Sequence, residues 1–378
     1  MVSRAGLLLL YTSSPRTMKV LLMGDGSAYH ANLATALRGM GHDVTVASDG
    51  TRWMQTERDI DLSRSKGKLG GALLWMRLSG IDARRFKGYD VVQLSSPGFA
   101  PLRPKRLRVL FDRLKRDNGI VCLTALGTDS VYVRHCLFAK PPVLRYSEWK
   151  VGSERTPWSY TPASEVEQWL STELIDYTDE FYSRIDGAVS ALYEYYRVLE
   201  AERPGLSLAY GGIPVVSDGL PKHVANPGPL RILHAVHHGR EAEKGADILL
   251  GMLRRLEAEM PGKVVVDTPA NVPYSQFVPR LAAYDLVSDQ LYSYTPATTA
   301  LLAMAMGVVP VSGAEPEYYD FIGEKHLRPI FNADPADLEG TYRRLRDLVA
   351  DRAAIAGMAA QGPSFVAAHN AADVVAGR

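Results

Sequence analysis

Arg240 and Lys244 stand four residues apart in the run His234-Ala-Val-His-His-Gly-Arg-Glu-Ala-Glu-Lys-Gly-Ala-Asp247. The run follows a short apolar strand, 230–233, and opens an amphipathic stretch over 245–260. Two fixed cations thus fall where a strand hands over to a helix. Free backbone N–H groups and the positive end of the helix dipole already favour an anion there. A guanidinium fork beside an ammonium point charge, flanked by Gly239 and Gly245, suits a diphosphate. The plain alternative is two solvated cations paired with Glu241 and Glu243.

A second candidate cradle lies in Tyr294-Thr-Pro-Ala-Thr-Thr-Ala-Leu-Leu-Ala-Met-Ala-Met-Gly307. Thr295 suits an N-cap and Pro296 the first helical position. The N–H groups of Ala297, Thr298 and Thr299 would then face a second phosphate. Glu315 and Glu317, beyond the next strand, are carboxylates within reach of the same edge or ordinary loop residues.

The first half carries weaker signals. Gly24-Asp-Gly-Ser-Ala-Tyr-His30 joins a strand to a helix, and Asp49 closes the next strand. A dinucleotide fold places its glycines and ribose acid so, but Tyr29 holds the third glycine position. His30 would orient an acceptor hydroxyl or be satisfied locally in a first helical turn. Asp129, after the strand 120–124, would act as a base or hold a hydroxyl, or else cap the following turn. Asp59-Ile-Asp61 has the two-carboxylate spacing of some metal-dependent sites and is read as a solvated turn.

These candidates hang on two successive runs of alternating strand and helix. Strands are expected at 19–23, 43–47, 89–94, 120–124, 187–191 and 207–210, with helices at 29–40, 105–117, 164–177 and 192–202. A Gly/Pro/Ser/Asn-rich linker follows at 212–229. The alternation then resumes, with strands at 231–235, 263–267, 286–291, 308–312 and 328–331 and helices at 245–260, 274–283, 296–306 and 335–350. This predicts an α/β chain of two Rossmann-like, doubly wound parallel domains facing a cleft. Residues 1–17 read as an extension ahead of a start at Met18. Residues 18–211 form the first domain, 230–352 the second and 353–378 a helical tail.

The second half resembles the nucleotide-sugar domain of bacterial family-4 glycosyltransferases of the GT-B fold. The matching residues are Gly239-Arg240, Lys244-Gly245, Ala303-Met-Ala-x-Gly307, Pro310-Val311 and Pro316-Glu317. In the first half, Leu33-Ala34-x-x-Leu37-x-x-x-Gly41-His42 and Ala209-Tyr-Gly-Gly212-Ile are similar to that family more loosely. The resemblance implies transfer of a sugar from a nucleotide-diphosphate donor to an acceptor hydroxyl. It implies retention of configuration and no metal or separate cofactor, in surface polysaccharide or glycolipid assembly. Arg240 and Lys244 would hold the diphosphate, and the helix at Pro296 would meet the distal phosphate. Two glutamates, eight positions apart in the family, are replaced here by Tyr294 and Leu302. The spacing from Arg240 to Lys244 is one residue shorter than usual. A non-catalytic binder of nucleotide sugar or saccharide is therefore a rival reading, and an NAD-dependent oxidoreductase using Gly24 and Gly26 another.

Composition narrows the partners. A net charge of +1 supplies no global field for nucleic acid. Cys122 and Cys136 make neither a disulfide framework nor a metal site and suit a reducing cytoplasm. Seven basic residues against one acid, Asp112, fill 103–116. They form a solvated helix face, or a surface that rests peripherally on an anionic membrane and receives a lipid-linked acceptor.

Overall fold

The computed structural model describes residues 16–51, 54–149, 163–236 and 244–378. Residues 1–15 of the extension expected over 1–17, and the cation Arg240 with Gly239, lie outside these residues.

The first sheet is built from β1 (Lys19–Met23), β2 (Asp43–Ser48), β3 (Ile60–Asp61), β4 (Val91–Leu94), β5 (Ile120–Ala125), β6 (Gly187–Ser190) and β7 (Leu208–Tyr210). Its order is β3-β2-β1-β4-β5-β6-β7, and every pairing is parallel. Its helices are α1 (Tyr29–Gly39), α2 (Gly67–Met76), α3 (Pro104–Asp117), α4 (Ser130–Phe138), α5 (Ala163–Trp169), α6 (Thr172–Arg184) and α7 (Tyr193–Glu202).

The second sheet holds β8 (Leu230–His234), β9 (Val264–Asp267), β10 (Leu286–Ser288), β11 (Val309–Ser312) and β12 (Phe331–Asn332). Its order is β12-β11-β10-β8-β9, again parallel throughout. With it go α8 (Ala246–Glu259), α9 (Tyr274–Leu281), α10 (Thr298–Met306), α11 (Pro316–Ile322) and α12 (Leu338–Ala350). The tail forms α13 (Arg352–His369) and α14 (Ala372–Ala376).

Parallel strands covered on both faces need apolar side chains on both, and Val20 to Met23, for example, are all buried. In each sheet the strand order reverses once, between β1 and β4 and between β8 and β10. Ligands in open α/β sheets bind at the carboxyl ends of the strands flanking such a reversal. The chain thus builds two such crevices.

One apolar cluster runs from the first domain into the second. Phe321 of α11 is one of its bridges, with ring centroids 5.2 Å from Tyr193, 4.8 Å from Tyr196 and 5.0 Å from Tyr210. The tail also crosses over: α13 packs on α10, and α14 packs on α1. Asn370 Nδ2 donates to Ile213 O at 3.0 Å and Arg378 Nη1 to Gly211 O at 2.8 Å.

Two expectations change. The helix expected over 164–177 is two helices, broken at Leu170–Ser171, where the Ser171 backbone turns extended and its hydroxyl donates to Gln168 O at 2.9 Å. Asp59-Ile-Asp61 is not a solvated turn: Ile60 and Asp61 pair with Ala47 and Ser48, and Asp59 accepts from Val46 N at 2.7 Å. The glycine-rich stretch 67–76, with poor helix propensity, nonetheless forms α2. Trp75 there lies under both Arg106 and Arg113 of α3.

Candidate functional site

The crevice of the second domain is lined where β8 and β10 part. His234, at the end of β8, places Nδ1 3.1 Å from Ser288 Oγ at the end of β10. Burial, and the charge of Arg254, hold this imidazole down to about 4, so it is neutral at ordinary pH. Lys244 Nζ lies 3.8 Å from the largely buried carboxylate of Asp289. Leu291 N donates to Lys244 O at 2.8 Å, so the turn before α8 rests directly on the loop that feeds α10. Gly245, at φ 65°, caps α8 with left-handed backbone, and a Cβ there would meet Leu291 Cβ at 2.8 Å. The turn before α8 and the loop that feeds α10 are therefore in contact.

The second cradle starts later than expected. Thr295 is not the N-cap and Pro296 lies outside the helix; α10 begins at Thr298 with Ala297 as its N-cap. The Thr295 hydroxyl is engaged elsewhere. It donates to Glu194 Oε2 at 2.6 Å and accepts from Tyr193 N at 3.0 Å, both across the domain boundary. No side chain caps α10, and the first-turn N–H groups of an uncapped helix have no intrahelical acceptors. Ala297, Thr298 and Thr299 are partly exposed at that end.

A segment of the first domain covers the remaining edge. Tyr146 stacks on Tyr294 with centroids 4.4 Å apart and planes inclined by 16°. Its N–H donates to Tyr294 Oη at 2.9 Å, and its phenol donates to Glu315 Oε1 at 2.8 Å. Arg145 forks between Glu315 Oε2 at 2.5 Å and Glu317 Oε1 at 2.9 Å. Asn332 Nδ2 completes the shell of Glu315 at 3.2 Å. Both loop carboxylates thus face the cleft and are held by its opposite wall. Tyr294, where a glutamate stands in the resembled family, lies under an aromatic ring.

Gly313 makes this geometry possible. A Cβ at this position would lie 1.7 Å from Ser293 O, a backbone atom that cannot step aside. Gly313→Ala is expected to push the 293–297 loop off β11 and lower stability by about 1–3 kcal/mol, read by denaturant unfolding.

The two catalytic candidates of the first domain are placed in structural roles. His30 is fully buried. Its Nδ1–H donates to Gly24 O at 2.6 Å and its Nε2 lies 3.1 Å from Thr124 Oγ1, while burial pushes its imidazole below the ordinary value. It locks the β1–α1 turn and does not reach the cleft. Asp129 is the N-cap of α4: Oδ1 accepts from Val131 N and Tyr132 N at 2.9 Å, and Oδ2 from Tyr182 Oη at 2.6 Å. Burial raises its carboxyl, opposed by those three bonds. With every oxygen engaged, it is a cap rather than a base.

Sequence reasoning missed Glu194, Arg145 and Tyr146. Glu194 had a usable signal, since it opens a helix at the carboxyl end of β6. Burial raises its carboxyl to about 7, against the bonds from Thr295 and backbone N–H groups. Arg145 and Tyr146 sit in a loop without periodicity, and nothing local marks them. Among the described residues no group of His, Cys, Asp and Glu is placed to hold a metal ion.

No protein-family model matches the sequence, and no curated protein matches it. Solved structures do match. Sucrose-phosphate synthase from Thermosynechococcus elongatus superposes with a TM-score of 0.59 at 12% identity, covering 95% of this chain and 96% of that one. Anabaena HepE in complex with UDP-glucose gives 0.58 at 12% identity, covering 95% and 97%. A Listeria monocytogenes protein assigned as a UDP-N-acetylglucosamine 2-epimerase gives 0.53 at 12% identity, covering 96% and 94%. These likenesses span both domains and define the fold: two Rossmann-like domains facing a cleft, the GT-B arrangement. At such identities they speak for architecture, and an epimerase and transferases share it.

Proposed function

We propose that this chain is a glycosyltransferase that moves a sugar from a nucleoside-diphosphate donor to an acceptor hydroxyl. The observation that carries this reading is the contact between one anion-favouring helix start and the loop that leads to a second at the same crevice. The Lys244–Gly245 turn of α8 packs on the loop leading into the uncapped start of α10. One start with a cation is common; two at the reversal of one sheet offer donors to both phosphates of a diphosphate. Arg240 joins them in this reading from the sequence alone. The resemblance to family-4 enzymes adds retention of configuration. It also assigns the charge of the departing diphosphate to Lys244, Arg240 and the α10 amides rather than to a metal. The solved neighbour that binds UDP-glucose makes that compound the first donor to try.

Lys244→Ala is expected to weaken donor binding about 10- to 100-fold, the cost of one hydrogen bond to a charged group. Its side chain is one-third exposed, so folding should survive. Calorimetric titration with a panel of nucleotide sugars and NAD checks this. Binding of NAD alone, or an unchanged affinity in Lys244→Ala, would overturn the reading. A second reading has its own observation: Tyr294 is stacked beneath Tyr146 and Leu302 is buried in α10, so neither position offers a carboxylate to a sugar. Tight donor binding without transfer or donor hydrolysis would select a non-catalytic binder.

A further inference from the structure

α2 turns an apolar stripe outward. Leu69, Leu73 and Met76 are 80%, 59% and 57% exposed, and Ile81, just beyond, is 85% exposed. The spacing of four and then three residues sets the first three on one helical face. This one short segment supplies four of the nine large exposed hydrophobics of the described residues. Scattered apolar residues are ordinary, but a contiguous patch marks a contact surface.

Cations surround the stripe. Arg64, Lys68, Arg103, Lys105 and Arg106 line a groove of about 670 Å³ beside it. Arg64, Lys68, Arg103 and Lys105 are exposed, and none is ion-paired with another described residue. Residues 64–87 hold seven basic side chains and one acid, Asp82. The starts of α2 and α3 open at the same groove and add their dipoles.

The rest of α3 is already engaged, which moves the surface away from the 103–116 face that the sequence suggests. Arg106 donates to Gly71 O at 2.7 Å and Arg113 to Ser79 O at 2.9 Å. Arg108 pairs with Glu180 at 2.6 Å, Lys115 with Asp186 at 2.6 Å and Arg116 with Asp117 at 2.8 Å.

We propose that the first domain docks on an anionic lipid bilayer through α2, with Leu69, Leu73, Met76 and Ile81 entering the acyl boundary and the groove cations meeting headgroup phosphates. An apolar stripe flanked by a groove of exposed cations has the chemistry of an interfacial helix. A nucleic acid would use the cations but leave four large apolar side chains in water. No helix among the described residues is long and apolar enough to cross a membrane, so the contact is peripheral. The groove opens at the carboxyl ends of β3 and β4, the edge of the sheet that also carries Gly24. A membrane-held acceptor would enter the cleft from there. Docking stands independently of sugar transfer, and its test does not use activity.

Co-sedimentation of the full chain with vesicles of phosphatidylcholine, with and without phosphatidylglycerol, decides the matter. Binding is expected to the mixed vesicles, to weaken in high salt and to be slight on phosphatidylcholine alone. The double variant Leu69→Glu/Leu73→Glu should lose about tenfold or more in vesicle affinity, and Lys68→Glu/Arg103→Glu a similar amount. All four positions are exposed, and unchanged thermal unfolding would show that the variants fold. Failure of the wild type to bind mixed vesicles overturns the proposal, as does unchanged binding by Leu69→Glu/Leu73→Glu. Tight binding of duplex DNA through Lys68 and Arg103, with vesicles ignored, assigns the surface to nucleic acid and overturns it too.

Discussion

Tyr146→Ala should be the most damaging single substitution at the domain boundary, at about 3–5 kcal/mol of unfolding free energy. The ring is 2% exposed although it sits in a loop. Its removal deletes a stacked aromatic contact worth about 0.5–1.5 kcal/mol beyond burial. It also takes a hydrogen bond from Glu315, a carboxylate that is itself buried. Tyr146→Phe separates the two contributions. It keeps the stack on Tyr294 and loses only the phenol's bond, for about 1–3 kcal/mol. The loss should fall on the coupling between domains. Calorimetry of Tyr146→Ala is expected to show the unfolding of the two sheets drawing apart, where the parent unfolds in a more unified transition. A loss below about 1 kcal/mol in Tyr146→Ala would mean that the other links, Phe321 with its three tyrosines, the Thr295–Glu194 bond and the tail, hold the interface without it.

That interface shows what could be read in the sequence. The βα alternation and the helix start at Gly245 were legible because each follows from local rules. Buried parallel strands are apolar runs, and a glycine before an amphipathic stretch marks a helix start. Thr295 shows where local rules stop. A threonine before Pro-Ala-Thr-Thr is a sound N-cap by pattern, yet a glutamate 101 residues earlier in the chain takes its hydroxyl. Asp129 went the other way: the local rule held, and the cap won over the chemical role. His30 carried a functional look because one of its partners, Thr124 of β5, lies 94 residues away in the chain, beyond the reach of any local rule. The α2 surface was invisible for a further reason. Three glycines in ten residues argue against a helix, and contacts with α3, Trp75 under Arg106 and Arg106 on Gly71 O, override them.

Glu194→Gln should stabilise the protein at pH 8 and leave it little changed at pH 5. In the folded chain this carboxyl is raised from 4.5 to about 7, chiefly by burial. The native state therefore binds its proton more tightly than the unfolded chain does. Stability from that proton is fully present below about pH 4.5 and is lost as pH rises through about 7. The full span corresponds to about 3 kcal/mol at the usual conversion of pKa into free energy. Glutamine keeps an oxygen for the Thr295 hydroxyl and has no charge to bury. Its gain at pH 8 should be about 1–2 kcal/mol, less than the full span because the new NH₂ group lacks an acceptor. Thermal unfolding of both proteins from pH 5 to pH 8 checks the sign. The parent should lose stability across that range by more than the variant, and parallel curves would show that Glu194 does not titrate there. The same charge has a consequence for the cleft. Glu194 reaches Thr295 two residues before the N-cap of α10, so ionising it sets a negative charge near the helix start proposed to meet a phosphate. Donor affinity of the parent should then fall as pH rises through about 7, while that of Glu194→Gln stays level.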